Sequence, residues 1–302
     1  MLIAGSASAQ YTPKFDLQGH RGARGLKPEN TIPAFLEALN NGVTTLELDV
    51  VITGDGQVLV SHEPYMSTEI CLKPDGTAIS PEEAVKYNIF KMTYAETQQF
   101  DCGLKPHPRF PDQQKLKATK PLLRNVIAAA EDHIKSYTSY EVDYNIEIKS
   151  VKGEEGRYQP WVQEFSEIVH EVIDQYLPWD RVVIQSFDFR VLQYWHKKYP
   201  NVRLAALVEN TISPAANLKA LGFTPSVYSP DFTLLKSQAA VTALKKKKIR
   251  VIPWTVNEPE DMKRMKAWGV DGIITDYPNR ALEIGLGLKR TNPLPPGATP
   301  KM

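Results

Sequence analysis

A chain of 302 residues that is 42% hydrophobic and 24% charged carries enough apolar side chain for a sizeable core, which excludes disorder as its main state and leaves room for one large domain or two small ones. Thirty-six Lys and Arg against 35 Asp and Glu leave a net charge of +1, so no broad field points to nucleic acid as a partner and any anion site must be local. No stretch approaches the roughly 18 apolar residues of a membrane span, and stable membrane insertion is not expected.

The chain begins MLIAGSASAQ. Residues 1–9 join a short apolar piece to Ala7-Ser8-Ala9, an A-x-A cleavage pattern, and read as a signal-peptide remnant that lacks the usual basic start. On that reading the protein is periplasmic or secreted; the alternative is a cytoplasmic protein with an irregular N-terminus. Residues 10–290 read as a single domain and 291–302 as a flexible tail. Phe15 to Gln18 form a first strand, a helix runs from about Thr31 to Leu39, and Thr44 to Val51 form a second strand. The turn Gly54-Asp55-Gly56 then suggests a hairpin into Gln57 to Ser61.

Residues 64–120 break this order, with no long apolar period, and read as a small insertion or cap over one face. Both cysteines, Cys71 and Cys102, lie there: either one disulfide closes a loop of about thirty residues, worth ~3 to 4 kcal/mol, or they are two unrelated thiols. Beyond it, strands are expected at Asn145–Lys149, Arg181–Gln185, Arg203–Val208, Val227–Ser229, Arg250–Trp254 and Gly272–Thr275. Trp161, Val162, Phe165, Ile168, Val169, Val172, Ile173 and Tyr176 make an apolar helical stripe that ends at Pro178. Glu258, Glu260 and Asp261 open another helix that Lys263, Arg264 and Lys266 close, as the helix dipole prefers. Lys245 to Lys248 read as solvated lysines at a helix C-terminus. One strand per unit gives eight units, which predicts an α/β chain folded as a (β/α)8 TIM-type barrel with a small insertion after the His62 strand. A doubly wound open sheet is the alternative.

In such a barrel chemistry collects at the C-terminal strand ends, and here those ends are polar. The first ends in Gln18-Gly19-His20-Arg21-Gly22. Glu47 and Asp49, two apart on the second, leave the same face ~7 Å apart along the strand and would repel unless a cation or shared proton lay between them. Ser61-His62 ends the hairpin strand, and Glu147 and Lys149 stand in the same i, i+2 relation. Oxygen ligands from Glu47, Asp49 and Glu147 suit one hard divalent cation, Ca2+ or Mg2+, and not zinc. The histidines are then free for proton transfer. A cation with Arg21 and Lys149 around one point makes a phosphate site, and His20 and His62 on opposite sides could serve as base and acid in phosphodiester cleavage.

The same residues carry a resemblance. Gly19-His20-Arg21-Gly22, Pro28-Glu29-Asn30-Thr31, Glu47-Leu48-Asp49-Val50, Thr53-x-Asp55-Gly56 and Val60-Ser61-His62 resemble, in order and spacing, the signature of the glycerophosphodiester phosphodiesterase family. Glu147-Ile148-Lys149, Gln185-Ser186-Phe187-Asp188, Trp254-Thr255-Val256-Asn257 and Thr275-Asp276-x-Pro278 are similar too. The resemblance implies a TIM-type barrel, a divalent metal on Glu47, Asp49 and Glu147, acid-base catalysis by His20 and His62, and phosphate contact by Arg21. It implies hydrolysis of small-molecule glycerophosphodiesters such as glycerophosphocholine or glycerophosphoethanolamine to glycerol 3-phosphate and an alcohol. Two departures stand out: an Asp is usual directly after the second histidine where this chain has Glu63, and Pro64-Tyr65-Met66 replaces an Arg-Thr-Thr-like stretch.

Other readings stand beside these. A barrel glycosidase would want an acid pair at later strand ends, where Gln185-Ser186 and Trp254-Thr255-Val256-Asn257 stand instead. A surface binding protein on the same barrel should have lost part of the His and acid set, and a related phospholipase D-like enzyme would act on lysolipids. His107, His133, His170 and His196 read as structural or surface residues. Trp254 is either a core residue at the barrel top or a substrate wall able to pack on glycerol or a choline cation. Glu29 and Asn30 are expected to brace the loop under Arg21, and Asp276 to cap the last turn.

Overall fold

The computed structural model describes residues 14–138 and 140–288; the signal-peptide reading of residues 1–9 and the tail reading of 291–302 lie outside them. Nine strands are described: β1 Asp16–Gly19, β2 Thr45–Ile52, β3 Val58–Val60, β4 Asp143–Ile148, β5 Val182–Ser186, β6 Arg203–Val208, β7 Val227–Pro230, β8 Arg250–Val251 and β9 Gly272–Thr275. The helices are α1 Ile32–Asn40, α2 Tyr94–Thr97, α3 Leu123–Tyr137, α4 Val162–Tyr176, α5 Phe189–Lys198, α6 Pro214–Leu221, α7 Gln238–Lys245, α8 Pro259–Ala267 and α9 Pro278–Glu283. Sheet order is β8-β7-β6-β5-β4-β2-β1-β9, with every neighbour parallel and β3 antiparallel on β2. Backbone bonds from Asp271 N to Val251 O, 2.8 Å, and Ile274 N to Pro253 O, 2.9 Å, bring the two ends together. The result is a nearly closed eight-stranded (β/α)8 barrel, and the open sheet is excluded.

Strand polarity alternates as the pleat requires. Leu46, Leu48, Ile146, Ile184 and Ile273 face the helices and join the main core with Phe165, Trp195 and Phe35. The other face lines the interior, where Val183, Ala205, Val227, Ile252 and Ile274 form a separate apolar cluster. The α4 stripe is buried at Val162, Phe165, Val169 and Ile173, but its two expected ends emerge, Trp161 at 64% and Tyr176 at 45% exposure. Strand β8 is shorter than the expected Arg250–Trp254: Pro253 has no N–H to donate, although Ile252 and Trp254 still donate to β7 carbonyls.

The insertion has its own small core, in which Met66, Ile70, Ile79, Ile89 and Phe100 pack on Val51 and Leu59 of the β2–β3 hairpin. Cys71 and Cys102 are joined in a disulfide. The segment leans on two barrel loops: Gln113 Nε2 donates to Arg24 O at 2.6 Å, and Asn88 Nδ2 donates to Arg157 O at 2.8 Å. It is thereby fixed beside the C-terminal ends of the strands.

Candidate active site

At that end of the barrel lies a cavity of about 490 Å³, reached by His20, Arg21, Glu47, His62 and Glu147. Its acids are placed by register. Asp49 and Glu147 are direct partners across the β2–β4 pair, and Glu47 stands two residues earlier on the same face. Ligand oxygens of all three lie within 4.8 Å of one another and all three residues are buried.

Each acid is oriented from a different side. Glu47 accepts from Arg21 N at 2.8 Å and from Gln185 Nε2 at 2.6 Å. Asn145, which donates to both Gln18 and Gln185, fixes that amide from below. Asp49 accepts from Asn30 Nδ2 at 2.8 Å and lies 3.3 Å from Arg21 Nε. Glu147 accepts from Lys149 Nζ at 2.8 Å, and the same ammonium is 3.9 Å from Asp49.

Burial and the neighbouring Asp49 carboxylate push the Glu47 carboxyl well above the ordinary range, and burial raises Glu147 as well. Asp49, although buried, is held low by Arg21, His62 and Lys149. Two carboxyls that resist ionisation beside one that is ionised form a site short of positive charge. An all-oxygen donor set fits a hard divalent cation there, and the fit rests on the donors themselves.

The histidines face this cluster with one ring nitrogen each committed. His20 Nδ1 lies 2.7 Å from Asp276 Oδ1, and His62 Nδ1 lies 2.8 Å from Glu63 Oε1. Nε2 is the nitrogen left to face the cavity in both. Burial, with Arg24 nearby, lowers the His20 imidazole to about 4 against the partial support of Asp276. A neutral His20 can take a proton. Asp276 does not cap the last turn as expected: its carboxylate is occupied by His20, by Arg24 Nε at 2.6 Å and by Asn257 Nδ2 at 2.7 Å. The physical reason is that β9 delivers it inward, on the same face as Ile274.

Arg21 turns sharply out of β1. Its own φ is +50° and that of Gly22 is +84°; a Cβ on Gly22 would meet Ala34 backbone at 2.6 Å, so the Gly-His-Arg-Gly run is a packing requirement of the β1–α1 loop. Glu29 braces that loop, taking Arg21 Nη1 at 2.7 Å, and Asn30, at φ +55°, reaches Asp49. Both were expected below Arg21 and both are there.

Trp254 lines the cavity edge-on to Phe187, with ring centroids 5.4 Å apart, and its Nε1 donates to Ser229 O at 2.9 Å. Arg109 and Phe110 of the insertion complete the rim. The remaining histidines make packing or surface contacts: His133 bonds Asn40, His170 stacks on Tyr199, the exposed His196 stacks on Phe223, and His107 is buried against Phe110. Gln185 and Asn257 lie in motifs that the sequence shares with the family but carry no site role on sequence grounds, and Arg24 and Glu63 carry none either, because only tertiary packing reveals what they touch. For Glu63 a signal existed, its place directly after His62.

Comparison with known proteins identifies the family. Residues 20–280 match the glycerophosphoryl diester phosphodiesterase family. A glycerophosphodiester phosphodiesterase of Bacillus altitudinis is 31% identical over 269 residues, covering 88% of this chain and 96% of that protein. The crystal structure of a putative glycerophosphoryl diester phosphodiesterase from Silicibacter pomeroyi DSS-3 superposes with a TM-score of 0.77 at 30% identity, over 91% of this chain and 95% of that one. An Oleispira antarctica phosphodiesterase, solved with its product sn-glycerol-3-phosphate, shares the fold at TM-score 0.69 and 22% identity, over 89% and 95% of the two chains. The chain described here belongs to the glycerophosphoryl diester phosphodiesterase family and is a phosphoric diester hydrolase.

Proposed function

We propose that this enzyme hydrolyses glycerophosphodiesters such as glycerophosphocholine or glycerophosphoethanolamine to glycerol 3-phosphate and an alcohol, using His20 and His62 for proton transfer. The observation that carries the reading is the pair of imidazoles, each fixed at Nδ1 by a carboxylate, facing one cavity with Glu47 and Glu147 of the three-acid cluster. Glu47, Asp49 and Glu147 would hold one divalent cation, Ca2+ or Mg2+, which supplies positive charge toward the phosphate oxygens.

His20, neutral near pH 7 because burial lowers it to about 4, takes the proton of the attacking oxygen at Nε2. That oxygen belongs either to water or to the glycerol 2-hydroxyl, which lies within intramolecular reach of phosphorus. His62 is the more open of the two, its side chain 32% exposed against 12% for His20. With Glu63 to stabilise its imidazolium, it protonates the leaving alkoxide. Arg21, anchored by Glu29, binds a phosphate oxygen. Lys149, which rests on Glu147 and Asp49, would add positive charge on the acid side of the phosphate site. Trp254, with Phe187 beside it, forms the apolar wall against which glycerol or an alkylammonium packs, and the insertion sets head-group preference from the rim.

The assignment is tested by His20→Ala and His62→Ala. Each should lower kcat by about 10² to 10⁴ while leaving affinity for the cation within a factor of about two. Loss of the cation in either variant would make that histidine a ligand and overturn its role.

A further inference from the structure

Lys120 is the last residue of the insertion and is 3% exposed. Among the described residues no carboxylate lies within salt-bridge distance of it. Its Nζ donates to Ser61 Oγ at 2.9 Å, and Ser61 Oγ in turn donates to Glu63 O at 2.7 Å. The backbone around it is tied down too: Pro121 O accepts from Val60 N at 2.8 Å and Lys120 O from Gln98 Nε2 at 2.8 Å. A buried ammonium is therefore held behind the His62 turn by a single neutral hydroxyl, an arrangement that stability alone does not favour, since a buried charge without a paired partner costs several kcal/mol of solvation.

Glu63 belongs to the same turn, its carbonyl accepting from the Ser61 hydroxyl that Lys120 holds. Its Oε1 receives His62 Nδ1 at 2.8 Å, while its Oε2 is shielded from solvent and has no hydrogen-bond partner. We propose that Lys120 is a positioning residue: its charge balances the Glu63 carboxylate behind the turn and its bond to Ser61 keeps the turn closed, so that His62 stays fixed through Nδ1 with Nε2 toward the substrate. Glu63 is held below the ordinary carboxylate range against the cost of burial, by His62 and, further off, by Lys120, while Glu29 opposes this. Lys120 is itself lowered by burial, with Glu63, Glu29 and Asp49 supporting its charge and Arg21 opposing it. This inference rests on the reading in which His62 transfers a proton, and it makes the end of the insertion part of the catalytic support as well as a rim.

The test uses the full chain and four variants: Lys120→Met, Lys120→Gln, Glu63→Gln and the double variant Lys120→Met/Glu63→Gln. Lys120→Gln keeps a donor for Ser61 and removes the charge. Both single Lys120 variants should lower kcat for glycerophosphocholine by about tenfold, a typical weight for a charge-assisted contact, with KM and cation affinity within a factor of about two and no fall in melting temperature. In the Glu63→Gln background the further loss should shrink to less than about twofold, because two residues acting through one path do not add. The downfield Nδ1 proton of His62, seen by NMR without any turnover, should broaden or vanish in both Lys120 variants.

A wild-type kcat in Lys120→Gln, an undiminished second loss in the double variant, or an unchanged Nδ1 signal would overturn the proposal. Wild-type protein with the downfield signal but no activity on any glycerophosphodiester would refute the functional reading instead.

Discussion

His20 and Asp276 lie 256 residues apart in the chain and 2.7 Å apart in the fold, because β1 and β9 are neighbours in the barrel with Gly19 opposite Thr275. The carboxylate is itself held by Arg24 and Asn257, so the imidazole it orients has little freedom. His62 and Glu63 reproduce the relationship locally.

This pairing sets a pH dependence. His20 falls from 6.5 to about 4 through burial and Arg24, with Asp276 acting the other way. Between those values the unfolded chain carries a proton on His20 that the folded chain does not. The stability linked to this group is therefore present above about pH 6.5 and lost as pH falls through about 4. At saturating cation the acid limb of kcat/KM should lie below the value for a free imidazole. Arg24→Gln removes a charge that lowers His20 and should move that limb to higher pH; a shift to lower pH would contradict the assignment of His20 as base. Asp276→Asn should reduce kcat by about 10² by loosening the ring.

The acid cluster predicts proton release on cation binding. Glu47 is raised well above the ordinary range by burial and by Asp49, and Glu147 is raised by burial against the pull of Lys149, so the protein should give up protons as the site fills, and affinity should weaken as pH falls. Calorimetry in buffers of different ionisation enthalpy reads this directly. Glu47→Gln and Asp49→Asn should lose both cation and activity, and binding heats independent of buffer would count against the site.

The residues of the candidate site are legible because they sit where the pattern can be read. His20, Glu47, Asp49, His62 and Glu147 all end or line strands whose alternation is plain, and strand period alone puts Glu47 and Asp49 on one face. The barrel was legible from its repeated units, and its closure was not, because β8 has only two regular residues and the contact to β9 is made by backbone bonds around Pro253. Asp276 looks like a cap in the sequence since its partner lies at the other end of the chain. Lys120 sits in a stretch without periodicity, where nothing marks a lysine as buried. The disulfide was an open choice, as proximity of Cys71 and Cys102 depends on the fold of the whole insertion.

The insertion should govern the head group. Arg109 lines the cavity above Phe110, 5.7 Å from the ring centroid, with Arg24 also over that ring at 5.1 Å. Glycerophosphoserine differs from glycerophosphoethanolamine by one carboxylate. Arg109→Gln should lower the kcat/KM ratio of the serine to the ethanolamine diester by about three- to tenfold and leave cation affinity unchanged. An unaltered ratio would show that the rim does not read head-group charge.

Export is the proposal for the compartment, resting on Ala7-Ser8-Ala9 and consistent with the bond between Cys71 and Cys102. Protein from its native source should begin at or near Gln10, and its thiols should resist alkylation until reduced. Reduction should cost about 3 to 4 kcal/mol of stability, read from denaturant unfolding, given a loop of this length. Residues 1–9 retained together with two freely labelled thiols would contradict export.

Product analysis tests the central claim most directly. Purified protein incubated with sn-glycero-3-phosphocholine and Ca2+ or Mg2+, followed by phosphorus NMR, should release glycerol 3-phosphate and choline, and a chelator should stop the reaction until the cation is restored. Release of phosphocholine and glycerol, full turnover in chelator, or no turnover across a panel of glycerophosphodiesters would contradict it.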